Sequence, residues 1–171
     1  MLVSLGRTPR REGLVDLLLA CHARIRSFAS MAERLGDPAP DDGQVVAACD
    51  AVARYFGDAL PLHARDEEES LLPRLAGRDP ALDDALLRMR REHADHVAAL
   101  RDLLDRCEAL RASPGVFARR AELARAARHL RAAFEPHLER EEREVFPAAD
   151  ALLTDDERRA AVAEMRARRA G

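Results

Sequence analysis

An eleven-residue motif occurs twice in this chain, and its repetition constrains the fold more than any other feature. His63-Ala-Arg-Asp-Glu67-Glu68-Glu69-Ser-Leu71-Leu72-Pro73 returns as His137-Leu-Glu-Arg-Glu141-Glu142-Arg-Glu-Val145-Phe146-Pro147. The histidine, the glutamate four residues on, the acid after it, two apolar residues and the closing proline recur in register: 137 − 63 and 147 − 73 both give 74. On a helix, residues i and i+4 share a face. Each copy therefore sets an imidazole beside a carboxylate. Two copies facing each other would offer two imidazoles and two carboxylates to a metal.

Breakers divide the rest of the chain around these copies. A first helix is expected from about Arg10 to Leu35, with Thr8 as N-cap and Pro9 at the first helical position. Gly36-Asp-Pro-Ala-Pro-Asp-Asp-Gly43 is a loop. A second helix runs from about Gln44 to Ala76 and stops at Gly77; Asp79-Pro80 caps a third that reaches about Ala112. Ser113-Pro114-Gly115 repeats the cap signal for a fourth, ending near Asp150. Thr154-Asp-Asp-Glu157 is a capping box that opens a short arginine-rich tail helix, about 155–169. No stretch alternates like a strand. Short loops between helices of similar length predict an all-α fold: an up-down-up-down four-helix bundle with a short C-terminal extra helix. The 171 residues are read as one domain, with the bundle over about 10–150.

Composition narrows the partners. Charged residues make up 35% of the chain, the profile of long amphipathic helices, and the net charge is −3. Arginines are interleaved with acids rather than massed, so nucleic acid is not expected as a partner. No segment approaches the ~18 apolar residues of a membrane span. Arg10-Arg11 before Leu14–Ala20 mimics a signal peptide, but Asp16 interrupts an already short apolar stretch. Cys21, Cys49 and Cys107 are an odd, widely spaced set without a CxxC, as expected of reduced thiols in a cytoplasm.

Helical spacing tests each histidine. From His63, backward steps meet Leu60, Ala59, Phe56 and Tyr55; forward steps reach Glu67, Leu71 and, with a slight drift, Leu75. His137 lies with Phe134, Ala133, Leu130, Glu141 and Val145. His22 lies with Leu18, Val15 and Ile25, and His93 with Met89, Leu86, Val97 and Leu100. Each long helix thus carries one histidine in its apolar stripe. A lone histidine on such a face is ordinarily a satisfied core residue. Four of them, two accompanied by inward glutamates, are a different situation. An inward Glu67 or Glu141 without a partner faces a desolvation penalty of several kcal/mol. A cation removes it, and neutral imidazoles add ligand nitrogens without adding charge.

Other residues admit more than one reading. His96, one turn beyond His93, is a fifth ligand, a group supporting the ligands, or simply buried. His129 lies about 80° around the helix from His137 and reads as a surface residue. Tyr55 reads as core packing, with proton donation near a bound ligand as the alternative. Pro61 and Pro136 are read as kinks that aim the histidines or merely let the helices wrap their core. Glu68 and Glu142 point about 100° away from the inward glutamates and read as solvated charge. Leu72-Pro73 and Phe146-Pro147 are expected to plug the bundle beneath the site.

Imidazoles and carboxylates without thiolate suit iron, manganese or zinc. Two glutamates among four or five histidines exceed one tetrahedral zinc and suit two metals bridged by both carboxylates. With His22, His63-x-x-x-Glu67-Glu68, Glu92-His93 and His137-x-x-x-Glu141-Glu142-x-x-Phe146-Pro147, the chain resembles the hemerythrin-like family, in its bacterial HHE cation-binding branch, over about residues 10–150. The resemblance implies His22 and His63 on one iron and His93 and His137 on the other. Glu67 and Glu141 would bridge them beside an oxo or hydroxo group, leaving an open position at each iron. Oxygen-carrying hemerythrins have a His-x-x-x-His pair in the third helix and an aspartate in the fourth. Here the third helix reads His93-Ala-Asp-His96 and the fourth uses Glu141, which weighs against simple reversible O2 carriage.

The expected function is a cytoplasmic di-iron protein, monomer or homodimer, that binds O2, NO or peroxide for storage, sensing or scavenging. A di-iron enzyme (NO or peroxide reduction, iron–sulfur cluster repair) is the alternative. A metal-free helical interaction module would leave the inward glutamates unexplained.

Overall fold

The computed structural model describes residues 13–37 and 41–170, and among them only helices and their connections occur. Helix α1 is Leu14–Arg34. Helix α2 covers residues 42–75, α3 is Pro80–Arg111, α4 covers residues 117–152, and α5 is Asp155–Arg168. The expected cap at Thr8, with Pro9 and the start at Arg10, lies outside the described residues.

Most boundaries follow local chemistry. Asp41 accepts from the Gln44 amide and starts α2 two residues before the expected Gln44. After α2, Gly77 takes φ +77°, a left-handed conformation that glycine adopts without penalty. Asp79 accepts from the amides of Ala81 and Leu82 with Pro80 in the first turn of α3. The Thr154 hydroxyl and Glu157 carboxylate cap α5 reciprocally. The expected cap at Ser113 is wrong. Val116 precedes α4 without any side-chain cap, and Ser113 sits in a turn whose carbonyl accepts from the Val116 amide.

Both α2 and α4 are interrupted by wider π turns: Tyr55–Ala59 and Asp66–Leu71 in α2, Glu141–Val145 in α4. Each closes on the residue before a proline, with the amides of Leu60, Leu72 and Phe146 reaching back five residues to Tyr55, Glu67 and Glu141. Pro61, Pro73 and Pro147 follow directly. A proline ring crowds the carbonyl four residues back, and a turn with an extra residue moves that carbonyl aside. Pro136, by contrast, is carried inside regular α-helix. The distortion thus falls at Pro61 and at the two closing prolines of the repeat, not at Pro136. It also explains the drift at Leu75. Twelve residues past His63 it would lie about 120° off, and a one-residue insertion returns it to about 20°. Leu75 and its repeat counterpart Ala149 are both fully buried.

Helix α1 packs on α2 and α4, α3 packs on α2 and α4, and α5 lies on α1 and the second π turn of α2. The apolar interior forms two clusters. One contains Ile25, Val52, Phe56, Leu103, Leu110, Leu123 and Leu130. The other contains Leu14, Leu18, Leu71, Leu75, Leu86, Val145 and Phe146, completed by Ala161 and Met165 of α5. Between them, at His22, His63, His93 and His137, every long helix crosses from one cluster to the other. No helix of the described residues is long and apolar enough to cross a membrane.

Candidate metal centre

Four helices bring six side chains into the layer between the two apolar clusters. His22, Glu67, His63, His137 and Glu141 are at most 3% exposed, while the His93 side chain is 12% exposed. The contacts divide the layer into two halves. On one side, His63 Nε2 lies 3.4 Å from Glu67 Oε1 and His22 Nε2 lies 3.2 Å from Glu141 Oε2. On the other, His93 Nε2 lies 3.3 Å from Glu67 Oε2 and His137 Nε2 lies 3.3 Å from Glu141 Oε1. Each carboxylate directs one oxygen to each half. Donor atoms of His22, His63, Glu67 and Glu141 fall within 4.8 Å of one another, as do those of His93, His137 and Glu141.

All four carboxylate oxygens, with His22 Nε2 and His63 Nε2, are buried and make no hydrogen bond. Buried acceptors without donors are rare and destabilising, so a set converging on itself fits a cation. The titration behaviour agrees. Burial, reinforced by the Glu67 charge, pushes the Glu141 carboxyl up to about 8. For Glu67 burial works the same way, but the surrounding imidazoles outweigh it and hold its carboxyl below the ordinary range. His22 is raised to about 10 and His93 to about 9, because the adjacent carboxylates overcome an opposing desolvation. Burial lowers His63, and it lowers His137 to about 3. Without metal, protons on His22, His93 and Glu141 thus supply the positive charge that a bound cation would displace.

The outward nitrogens are held by a second layer of acids. His22 Nδ1 donates to Glu142 Oε1 (2.8 Å), His93 Nδ1 to Glu68 Oε1 (2.8 Å) and His137 Nδ1 to Glu92 Oε2 (2.9 Å). Arg26 in turn binds Glu142 and Arg140 binds Glu92. Proton on Nδ1 leaves the Nε2 lone pair inward, the arrangement that orients metal-bound histidines. Glu68 and Glu142 are therefore not the solvated charges expected from sequence. Their recurrence in both copies of the motif was the available signal. His63 Nδ1 is the exception, buried without a partner.

The remaining candidates separate cleanly. His96 stands outside both donor groups; its Nε2 donates to the Ala133 carbonyl at 3.1 Å and its ring stacks on Phe134. It is a buried neighbour that packs edge-on against His137. His129 is exposed, as expected. The Tyr55 hydroxyl donates to the Cys21 carbonyl and its ring stacks on Phe28, which makes it core packing. Phe146 lies 4.9 Å from the His22 ring, beneath the site as expected of the closing apolar pair. An apolar cavity of about 170 Å³ abuts His63, His93 and His137, with Ile25, Leu100 and Phe134 among its walls.

A family model described as the Hemerythrin HHE cation binding domain matches residues 13–149. An uncharacterised protein of Haemophilus influenzae is 28% identical over 82 residues, 46% of this chain and 48% of that protein. The chain thus spans about half the length of the curated relative it matches.

Proposed function

We propose that this chain, which belongs to the hemerythrin HHE cation-binding family, is a non-haem di-iron protein. In this reading it binds O2 or a related small oxidant, NO or peroxide, for storage, sensing or scavenging. One observation carries it: Glu67 and Glu141 each turn one oxygen to His22 and His63 and the other to His93 and His137. Two carboxylates split in this way suit a pair of ions rather than one. Manganese or zinc in the same positions is the alternative metal. Because every long helix crosses between the two apolar clusters in the sense opposite to its predecessor, the frame is read as an up-down-up-down bundle.

When bound, two irons beside an oxo or hydroxo bridge would supply open coordination positions and electrons for a small oxidant. The chain's own residues prepare the site. Glu142, Glu68 and Glu92 fix the tautomers of His22, His93 and His137. Glu67 and Glu141 balance the cationic charge within a layer sealed on both sides by apolar side chains. The cavity beside His63, His93 and His137 gives a small apolar ligand a dry approach. We assign the protein to the cytoplasm on its three unpaired, buried cysteines, as a monomer or homodimer without nucleic-acid or membrane partners.

Metal analysis after expression in iron-supplemented medium tests the reading. Two irons per chain with an oxo-bridged absorption spectrum are expected, and a protein without metal refutes it. Glu67→Ala or His137→Ala should empty the site, while the exposed His129→Ala should not. Adding O2, NO or peroxide to the reduced protein then separates roles: a stable adduct identifies a carrier or sensor, repeated turnover an enzyme.

A further inference from the structure

The π turn that carries Glu67 is gripped by a helix that lies beyond the matched family domain. Asp66, one residue before Glu67, is 1% exposed. Arg168 Nη1 donates to its Oδ1 at 2.7 Å and Arg169 Nη2 to its Oδ2 at 2.5 Å. Arg168 also donates to Ser70 Oγ (2.7 Å) and Glu69 Oε2 (3.1 Å). Glu164 accepts from Ser70 Oγ at 2.6 Å and from Arg74 at 2.6 Å. Within Asp66–Leu71, bonds from α5 and its C-cap Arg169 therefore fall on both sides of Glu67, whose own oxygens face only the inner imidazole nitrogens.

The second copy of the motif is held differently. Asp66 corresponds to Arg140 and Ser70 to Glu144 at the 74-residue offset. Arg140 binds Glu92 on α3, inside the bundle. The turn bearing Glu141 is thus secured by the four-helix frame, whereas the turn bearing Glu67 depends on α5, residues 155–168, outside the matched 13–149.

We infer that Arg168 and Arg169 are positioning residues which, through Asp66 and Ser70, set the Glu67 carboxylate for both metal positions. The inference rests on the reading of Glu67 as a shared ligand. A π turn lacks the regular i→i−4 ladder, so its geometry follows the contacts imposed on it. Removing the guanidinium groups leaves Asp66 a buried charge without a counterion, and the turn rearranges to hydrate it.

The test compares wild type, Arg168→Ala/Arg169→Ala, Asp66→Asn, and Arg158→Ala. Arg158 binds the carbonyls of Asp150 and Leu153 and loosens α5 without touching the turn. Three quantities are read on the purified protein: release of cobalt(II) to a chelator, the cobalt absorption spectrum well below melting, and amide exchange over residues 66–72. The double variant should release cobalt about tenfold faster, the size of effect seen for groups that orient metal ligands. Its spectrum should shift and its exchange over the turn should rise about tenfold. Asp66→Asn should fall between it and wild type, and Arg158→Ala should stay within about twofold at comparable melting loss. An unchanged spectrum and release rate in the double variant, or equal effects in Arg158→Ala, overturns the inference. If wild type takes up no cobalt, the shared-ligand reading fails, and the exchange data alone decide whether α5 holds the turn.

Discussion

Replacing Glu142 with alanine is the sharpest test of how the centre is held. Its Oε1 accepts from His22 Nδ1 at 2.8 Å and from Arg26 at 2.7 Å, and the side chain is 27% exposed. Truncation frees the His22 ring to rotate or change tautomer and leaves Arg26 with Glu135 alone. Losing such an outer carboxylate weakens metal binding by about 10–100-fold. Partial exposure lets water replace one bond, which points to the lower end, close to tenfold or about 1.4 kcal/mol. Glu142→Gln keeps one acceptor without the charge and should fall near threefold. Competition with a chromophoric chelator at pH 7 measures both, alongside Glu139→Ala, an exposed acid on the same helix that should lie within twofold. A solvated Glu142 would behave like Glu139. Wild-type affinity in folded Glu142→Ala would therefore refute the orienting role.

Two further outcomes follow from burial and charge. With metal removed by chelator, thermal stability should fall as pH rises above about 6.5. His22 and His93, raised to about 10 and about 9 from 6.5, contribute fully below 6.5 and lose that contribution as pH passes through their folded values. Glu141, raised to about 8 from 4.5, acts in the same direction: its protonated form favours the folded state at low pH, and that contribution is lost as pH rises from 4.5 through about 8. Melting curves from pH 6 to 10 check this; flat or rising stability would contradict the protonated cluster. Leu130→Ala, fully buried in the cluster remote from α5, should destabilise by about 2–5 kcal/mol. That corresponds to a melting temperature roughly 5–15 °C lower, with metal stoichiometry intact.

The six inner residues were legible because helical spacing is rigid: an i, i+4 pair and a periodic stripe fix which side chains share a face. The capped starts at Asp79 and Thr154 were legible for a similar reason, since those bonds are local. Ser113 misled because a cap signal needs the chain to enter the helix at that residue, and here Val116 enters instead. Glu68 and Glu142 were misjudged because a rotation of about 100° from the core sounds like solvent. In a four-helix frame that direction leads across to the neighbouring helix. The π turns left no composition signal of their own; they arise where an interior proline meets a face that must keep burying Leu75 and Ala149.

The crossed acids have a consequence for how the site is assembled. Residues 14–75 carry His22, His63 and Glu67, and residues 80–152 carry His93, His137 and Glu141. Yet Glu68 of the first hairpin steadies His93 of the second, while Glu142 of the second steadies His22 of the first. Each hairpin therefore holds three donors and the means to orient one of the other's. Made alone, the first hairpin would leave His22 unsteered and the second would leave His93 so, His137 alone being held by an acid of its own hairpin, Glu92; only docking supplies what each lacks. Completion of the centre and closure of the bundle are, on this wiring, a single event.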